Sequence, residues 1–257
     1  MNASRLLRGA WRYLVALAAL GLLWKLASVW AGAQMLPAPE DAVPHFLAQL
    51  GTAAFWGHFR ASALRAVTAM ALAWALAFPL GVAMGASKRL DAYLAPFIFL
   101  TYPIPKIVLL PVFLLLLGLG DTAKIAIIAL ILGYQVLVTT RDGVRAIHPK
   151  YLDSIRSLGG TRMDIAREVL VPAALPHGFT ALRLNTGVAV AVLFFVESFA
   201  TTSGLGYLIM DAWGRMQFEM LFTGILGMSL LGAALYETAN GLERRLCAWA
   251  HARSNGQ

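Results

Sequence analysis

Six apolar runs, at residues 13–31, 66–86, 94–117, 122–140, 178–199 and 220–242, leave this chain few folds to choose from. Each is long enough for a tilted helix to cross a bilayer, which takes roughly 20 residues. In lipid only helices and closed barrels satisfy their own backbone hydrogen bonds, and none of the runs shows the period-2 alternation of barrel strands. The expected fold class is therefore all-α: a polytopic membrane protein with six transmembrane helices. No repeat, low-complexity tract or linker divides the chain, so residues 1–257 are expected to form one membrane domain. Composition agrees, with 59% hydrophobic and only 13% charged residues, against about 25% charged in ordinary soluble domains.

The formal charge of +8 raises the question of a nucleic-acid partner. The basic residues, however, flank apolar runs and are not interleaved with aromatic stacking positions, so membrane orientation accounts for them and no nucleic acid is expected. With the N-terminus inside, the cytoplasmic segments hold Arg5, Arg8, Arg12, Lys88, Arg89, Arg141, Arg145, Lys150, Arg156, Arg162, Arg167, Arg244, Arg245 and Arg253, which is 14 of the 21 basic residues. Arg60, Arg65, Lys124 and Arg215 fall outside. The positive-inside rule then places both termini in the cytoplasm. Arg5, Arg8 and Arg12 before an apolar stretch ending in Ala31-Gly32-Ala33 also resemble a signal peptide. Because that stretch exceeds the roughly 7–15 residues of a signal core, a retained first span is expected. Outside the membrane, Pro37, Pro39 and Pro44 predict an extended entry followed by a surface helix.

The longest inside connection, residues 141–177, calls for a purpose. Within 151–176, Leu152, Ile155 and Leu158 recur at helical spacing and predict a short amphipathic helix. Gly159 and Gly160 end it, and a second short helix is expected from Thr161 with Asp164 in its first turn. Pro172 and Pro176 are expected to stop that helix. Such a unit suits either docking of a cytoplasmic motor or binding of anionic headgroups, and periodicity alone does not separate the two.

Residue identities do. Asp153-Ser154-Ile155, three residues, Gly159, nine residues and Val169-Leu170-Val171-Pro172 resemble the EAA loop of ATP-binding-cassette importer permeases. That loop reads Glu-Ala-Ala, three residues, Gly, nine residues, Ile-x-Leu-Pro. The departures are Asp153 for Glu, Ser154 and Ile155 for the alanines, and Val169 and Val171 for the aliphatics. The runs Leu36-Pro37-Ala38-Pro39, Tyr102-Pro103-Ile104-Pro105-Lys106, Gly118-Leu119-Gly120-Asp121-Thr122-Ala123-Lys124-Ile125, Pro172-Ala173-Ala174-Leu175-Pro176 and Ser203-Gly204-Leu205-Gly206-Tyr207 are similar, in order, to the nitrate/sulfonate/taurine branch of these permeases.

The resemblance implies a type I importer fold with a cytoplasmic coupling helix between the fourth and fifth spans. It also implies a second copy of the permease, two ATPase subunits inside and an extracytoplasmic solute-binding protein. On that reading residues 153–164 engage the ATPase, through Asp153, Ser154, Ile155, Leu158, Gly159, Gly160, Arg162 and Asp164, with Pro172 closing the motif. ATP-driven closure of the ATPases would move this helix and alternate access across the membrane. No Gly-x-x-x-x-Gly-Lys-Ser/Thr loop occurs, so ATP and Mg are expected in the partner and no cofactor on this chain.

Charged residues inside spans are functional candidates, since each costs about 2.5–3.5 kcal/mol at mid-helix on insertion scales. Lys106, between Pro105 and Pro111, is expected either to line a translocation route with Tyr102, Pro103 and Pro105 and favour an anion, or to snorkel or pair at a kink. Glu197 is expected to form an ion pair with Lys124, with a gating role as the second reading. Tyr134, Gln135 and Asn185 either face the pore or bond between helices. Lys25 is expected to snorkel outward and Arg183 to anchor its helix to headgroups or to the coupling segment. Gly81, Gly85, Gly187, Gly227 and Gly232 suit close helix packing. The run 201–207 reads either as a re-entrant segment or as an ordinary loop.

Other classes fit less well. A secondary transporter would show inverted halves or a mid-helix carboxylate cluster, and neither is visible. An enzyme is not expected, since His45, His58, His148, His177 and His251 lack metal-ligand spacing and no acid–base pair accompanies them. The single Cys247 excludes an intrachain disulfide. The solute is not legible; an organic or inorganic anion such as a sulfonate, taurine or nitrate is expected, with a vitamin precursor as the alternative.

Overall fold

The computed structural model of the chain describes residues 3–32 and 35–250. The side chains of Arg5, Arg8 and Arg12, and all of His251 and Arg253, lie outside what is described. Among the described residues every regular element is helical. In order these are α1 (Ala3–Ala31), α2 (Pro39–Gln49), α3 (Ala53–Ala86), α4 (Lys88–Thr101), a 3-10 turn (Lys106–Leu109) leading into α5 (Leu110–Leu117), α6 (Asp121–Arg145), α7 (Pro149–Ser157), α8 (Arg162–Ile165), a π-helical turn (Ala166–Leu170), α9 (Val171–Leu184), α10 (Thr186–Glu197), α11 (Leu205–Gly214) and α12 (Phe218–Leu246).

Three helices, α3, α6 and α12, are long and apolar enough to cross a membrane. Two bent pairs raise the number to five if each crosses as one span, and residues Val15–Ala31 of α1 add a shorter apolar stretch. The third predicted run is thus not one tilted helix: α4 and the segment Lys106–Leu117 meet at 84°. Pro103 and Pro105 supply no N–H to continue the helix and disfavour α geometry in the residues before them. The fifth run also bends, by 45° at Asn185 between α9 and α10.

The centre of the fold is the pairing of α3 with α6, packed along their length. Ala66, Ala69, Ala73, Ala77, Gly81 and Gly85 recur every three or four residues and put one smooth face of α3 against Ile127, Ile128, Leu132, Val136 and Val144. The approach is closest near the C-terminal end of α3. A Cβ at Gly81 would meet the Leu137 carbonyl at 2.7 Å, and one at Gly85 the Val144 Cβ at 2.5 Å. Gly227 and Gly232 also face neighbours, but Gly187 faces open space, so close packing does not explain it.

α3 starts at Ala53, well before the predicted run, because Thr52 caps it by accepting from Phe55 N–H at 3.3 Å. The predicted surface helix is α2, with Pro39 in its first turn. The Lys25 ammonium pairs with Glu40 at the start of α2. Trp24 Nε1 and Ser28 Oγ donate to the Pro37 and Leu36 carbonyls at 3.0 and 2.7 Å, tying α1 to the extended entry.

Pro172 and Pro176 do not end the second helix of the signature segment. α8 runs through the π turn into α9, with Pro172 in its first turn and Pro176 inside it. The Val171 N–H reaches back to the Ala166 carbonyl, widening the ladder just where Pro172 has no N–H to give and its ring would crowd the preceding turn.

Candidate solute pocket and coupling unit

The signature segment folds as two short helices around a glycine corner. α7 is started by His148, whose Nδ1 accepts from Lys150 N–H at 3.2 Å, with Pro149 in the first turn. Gly159, at φ +78°, turns the chain, and the Gly160 N–H closes onto the Ile155 carbonyl at 3.0 Å. A Cβ at Gly160 would lie 2.8 Å from that carbonyl oxygen, so both glycines are needed. α8 begins with a capping box: Asp164 Oδ2 accepts from the Thr161 N–H at 2.7 Å while Thr161 Oγ1 accepts from the Asp164 N–H at 3.3 Å. The Thr161 hydroxyl and amide hold the Asp164 carboxyl below its ordinary range.

At the corner, Leu158 is 85% and Met163 65% exposed. Asp153 pairs with Arg156 at 3.1 Å on the outer face of α7, and Ser154 Oγ donates to the Lys150 carbonyl. Arg162 points to a cavity behind the unit, and Ile155 packs under the Gly160 turn. The predicted coupling residues thus form one projecting corner, with Pro172 one π turn away at the start of α9.

A second constellation lies at the 84° break. Tyr102, Pro103, Pro105, Lys106, Tyr134 and Gln135 line one cavity of about 330 Å³, closed on another side by Val192 of α10. The prolines and the helix end leave carbonyls of α4 without donors. Lys106 Nζ supplies them, donating to the carbonyls of Thr101 and Tyr102 at 3.1 Å and of Ile104 at 3.4 Å. It also sits 4.0 Å from the Tyr134 ring centroid, a cation–π contact. The Tyr102 hydroxyl donates to Gln135 Oε1 at 3.0 Å, and the Tyr134 hydroxyl bonds Thr101 Oγ1 at 2.8 Å. Lys106 therefore pairs with carbonyls and not with a carboxylate, and braces the break from inside the cavity. Removing its charged donors in Lys106→Met is expected to cost about 1.5–3 kcal/mol, read as a lowered unfolding temperature of the solubilised protein, with Lys106→Arg less affected.

Glu197 is not in that cavity and does not pair with Lys124. It is 1% exposed at the end of α10, and Arg65, 3% exposed, is its partner at 2.7 Å. Its oxygens also accept from Ser62 Oγ at 2.8 and 2.9 Å and from Gly206 N–H at 2.9 Å. The Arg65 fork reaches on to Asp121 Oδ1 at 2.8 Å and to the Ser203 carbonyl at 2.8 Å. Lys124 Nζ instead donates to the carbonyls of Leu119 and Ala200, at 3.0 and 3.3 Å.

The run 201–207 wraps this pair and enters α11. A Cβ at Gly204, where φ is +117°, would fall 2.5 Å from both Glu197 oxygens. Ser62, Arg65 and Asp121 escaped the sequence reading because Arg65 was assigned to an outer loop. The usable signal was Ser62 and Arg65 one turn apart, in line with the Ala66/Ala69 face. Arg183, finally, contacts Asn240 at 3.1 Å and Glu243 at 3.4 Å, both on α12 and not in the coupling segment. Asn185 donates within its own helix, to the Ala181 carbonyl at 2.7 Å.

The chain is 30% identical over 243 residues to the taurine transport system permease protein TauC of Escherichia coli (strain K12), which covers 90% of this chain and 88% of the relative. It is 31% identical over 217 residues to a putative aliphatic sulfonates transport permease protein, SsuC of Bacillus subtilis (strain 168), covering 84% and 79%. The formylaminopyrimidine transport permease protein ThiX of Halalkalibacterium halodurans is 26% identical over 229 residues, covering 89% and 91%. Among solved structures, the MetNI methionine ABC transporter in inward-facing conformations superposes with a TM-score of 0.61 at 16% identity, over 75% of this chain and 96% of that one, which supports the fold. Residues 75–246, running from α3 through the signature corner to the end of α12, match the family model of the binding-protein-dependent transport system inner membrane component, and the chain belongs to that family.

Proposed function

We propose that this chain is the permease of an ATP-driven importer for a small organic anion of the sulfonate or taurine type. Two copies of the chain pair across the solute path, two ATPase subunits engage α7 and α8 from the cytoplasm, and an extracytoplasmic binding protein delivers solute. Both termini lie in the cytoplasm. ATP and Mg belong to the ATPase subunits, and this chain contributes no cofactor of its own.

The observation that carries the proposal is the projecting corner at Gly159. Its exposed apolar tip stands on a helix that continues, through the π turn, into α9 and then α10. A push on the corner is therefore delivered to the helices beside the 330 Å³ cavity without an intervening loop. The relatives that transport taurine and aliphatic sulfonates point to the solute class. In the cavity, the Lys106 ammonium supplies positive potential while Tyr102 and Gln135 supply polar edges, a setting that suits an anion in passage.

The test is uptake by the complete complex reconstituted with its cognate ATPase and binding protein in vesicles. Labelled taurine or a short alkanesulfonate is expected to accumulate only when ATP is supplied on the side of α7 and α8. Uptake of a formylaminopyrimidine with indifference to sulfonates would replace the solute assignment. ATP-independent uptake would overturn the importer reading itself.

A further inference from the structure

Behind the coupling corner lies a cavity of about 760 Å³ where the turn between α3 and α4, the end of α6 and the α7–α8 unit converge. Five cationic side chains from these three places line it: Lys88, Arg89, Arg145, Arg156 and Arg162. No carboxylate is among the lining residues. The nearby acids are committed elsewhere. Asp91 is bound by Arg141 and by Arg145, the latter at 2.7 Å, and Asp153 is bound by Arg156 on the exposed face of α7. Among the described residues, Lys88, Arg89 and Arg162 have no carboxylate within ion-pair distance.

The floor of the same cavity is apolar, made by Met84, Leu152, Ile165 and Leu170. The positive-inside rule explains cations near the ends of spans. It does not explain why cations separated by up to about 75 positions in the chain face one another across a shared apolar floor, where like charges repel. Arg145 and Arg156 have carboxylates of their own, but Lys88, Arg89 and Arg162 do not, so a single anionic group entering the cavity would be attracted by all three at once. The site lies at Ser87, where α3 ends and α4 begins, and on the orientation proposed above this is where an apolar helix leaves the bilayer. An anion with an apolar body, presented from the membrane, meets both halves of the lining; a soluble oxyanion meets only one.

We infer that this cavity binds the phosphodiester headgroup of an acidic phospholipid, held by Arg89, Arg162 and Lys88 with its glycerol end over the apolar floor. The cavity joins the α3–α4 turn to the coupling unit, so a bound headgroup braces α7 and α8 against the membrane helices. The consequence for transport rests on the coupling role proposed above, and on the same orientation; binding itself does not require solute or ATP.

The experiment has two arms. In the first, the full chain is purified and lipid retention is read by native mass spectrometry after adding phosphatidylglycerol or phosphatidylcholine. Wild type is expected to retain the acidic lipid selectively. The double variant Arg89→Ala, Arg162→Ala is expected to lose roughly tenfold or more in apparent affinity. Arg89→Lys, Arg162→Lys and a control at Arg244→Ala, Arg245→Ala are expected to retain it. Undiminished retention by the alanine pair, or displacement of the lipid by millimolar inorganic phosphate, would overturn the assignment.

In the second arm, the complete complex is placed in vesicles with and without phosphatidylglycerol. Solute-stimulated ATP hydrolysis is expected to rise several-fold with the acidic lipid in wild type and to be insensitive to it in the alanine pair. If the alanine pair instead fails to co-purify with the ATPase, the cations belong to the ATPase interface and the lipid proposal is wrong. Because the first arm contains neither solute nor ATP, its failure is separable from failure of the importer reading.

Discussion

Glu197→Ala is expected to destabilise the folded chain by about 3 kcal/mol, the low end for breaking a buried pair, because the buried Arg65 guanidinium keeps only the exposed Asp121 as a carboxylate partner. The lost carboxylate also strips acceptors from Ser62 Oγ and from the Gly206 N–H. Thermal unfolding of the detergent-solubilised protein is the measurement, with Glu197→Gln intermediate because it keeps the shape and part of the hydrogen bonding. Pairing Arg65→Met with Glu197→Leu is expected to recover much of the loss, since desolvation of two charges offsets most of what their attraction contributes. The double-mutant cycle then isolates the coupling between the two side chains. An unfolding temperature unchanged by Glu197→Ala would mean that the carboxylate is not buried against Arg65. Run 201–207 keeps its bonds to Arg65 but loses the Glu197 oxygen that accepts from the Gly206 N–H, so susceptibility to protease at Ser203 is expected to rise before the global transition.

Gly159→Pro is expected to reduce solute-stimulated ATP hydrolysis of the assembled complex to its basal rate while leaving the chain in the membrane. Proline is fixed near φ −65° and cannot adopt the +78° of this corner, and it removes the N–H that bonds the Arg156 carbonyl at 2.9 Å. The corner must then open, carrying Leu158 and Met163 away from their present places. Asp153→Lys should act in the same direction by a different route, reversing charge on the outer face of α7 without altering its backbone. Neither residue touches the buried Arg65–Glu197 pair or the cavity at Lys106, so thermal unfolding of the transmembrane part should stay close to wild type. Full coupling in both variants would remove the corner from the energy-transmission path.

The signature corner was the most legible part of this molecule. Its glycine-to-proline spacing depends on local backbone requirements, a left-handed residue and a capping box, and those are written in adjacent residues. The Lys106 cavity was legible as a list, since Tyr102, Pro103, Pro105, Lys106, Tyr134 and Gln135 do share one lining. What the ammonium does there was not, because the carbonyls it braces carry no sequence signal. Partner choice inside the membrane was misread for the same reason. Lys124 and Glu197 have similar depth in a linear hydropathy reading, but depth does not say which helix face meets which. Arg65 takes the carboxylate because α3 extends back to Ala53, and Arg60 and Arg65 hide that extension from a hydropathy reading by interrupting the apolar residues before the run. Proline was over-read as a stop at 172 and 176, where a single wide turn lets the helix pass.

That wide turn also sets a phase. Each residue of an α-helix advances the chain by about 100° around its axis. The π turn at 166–170 holds one residue more than the same stretch of α-helix would, as the Ala166-to-Val171 hydrogen bond shows. Deleting a residue there would heal the ladder and swing α7 and α8 through that angle about the axis of α9, with every side chain of the corner unchanged. The direction in which the corner faces is therefore set by chain length as well as by the packing of Leu152 and Ile165 on the core. Substitution scanning reports only the second of these; insertions and deletions reach the first.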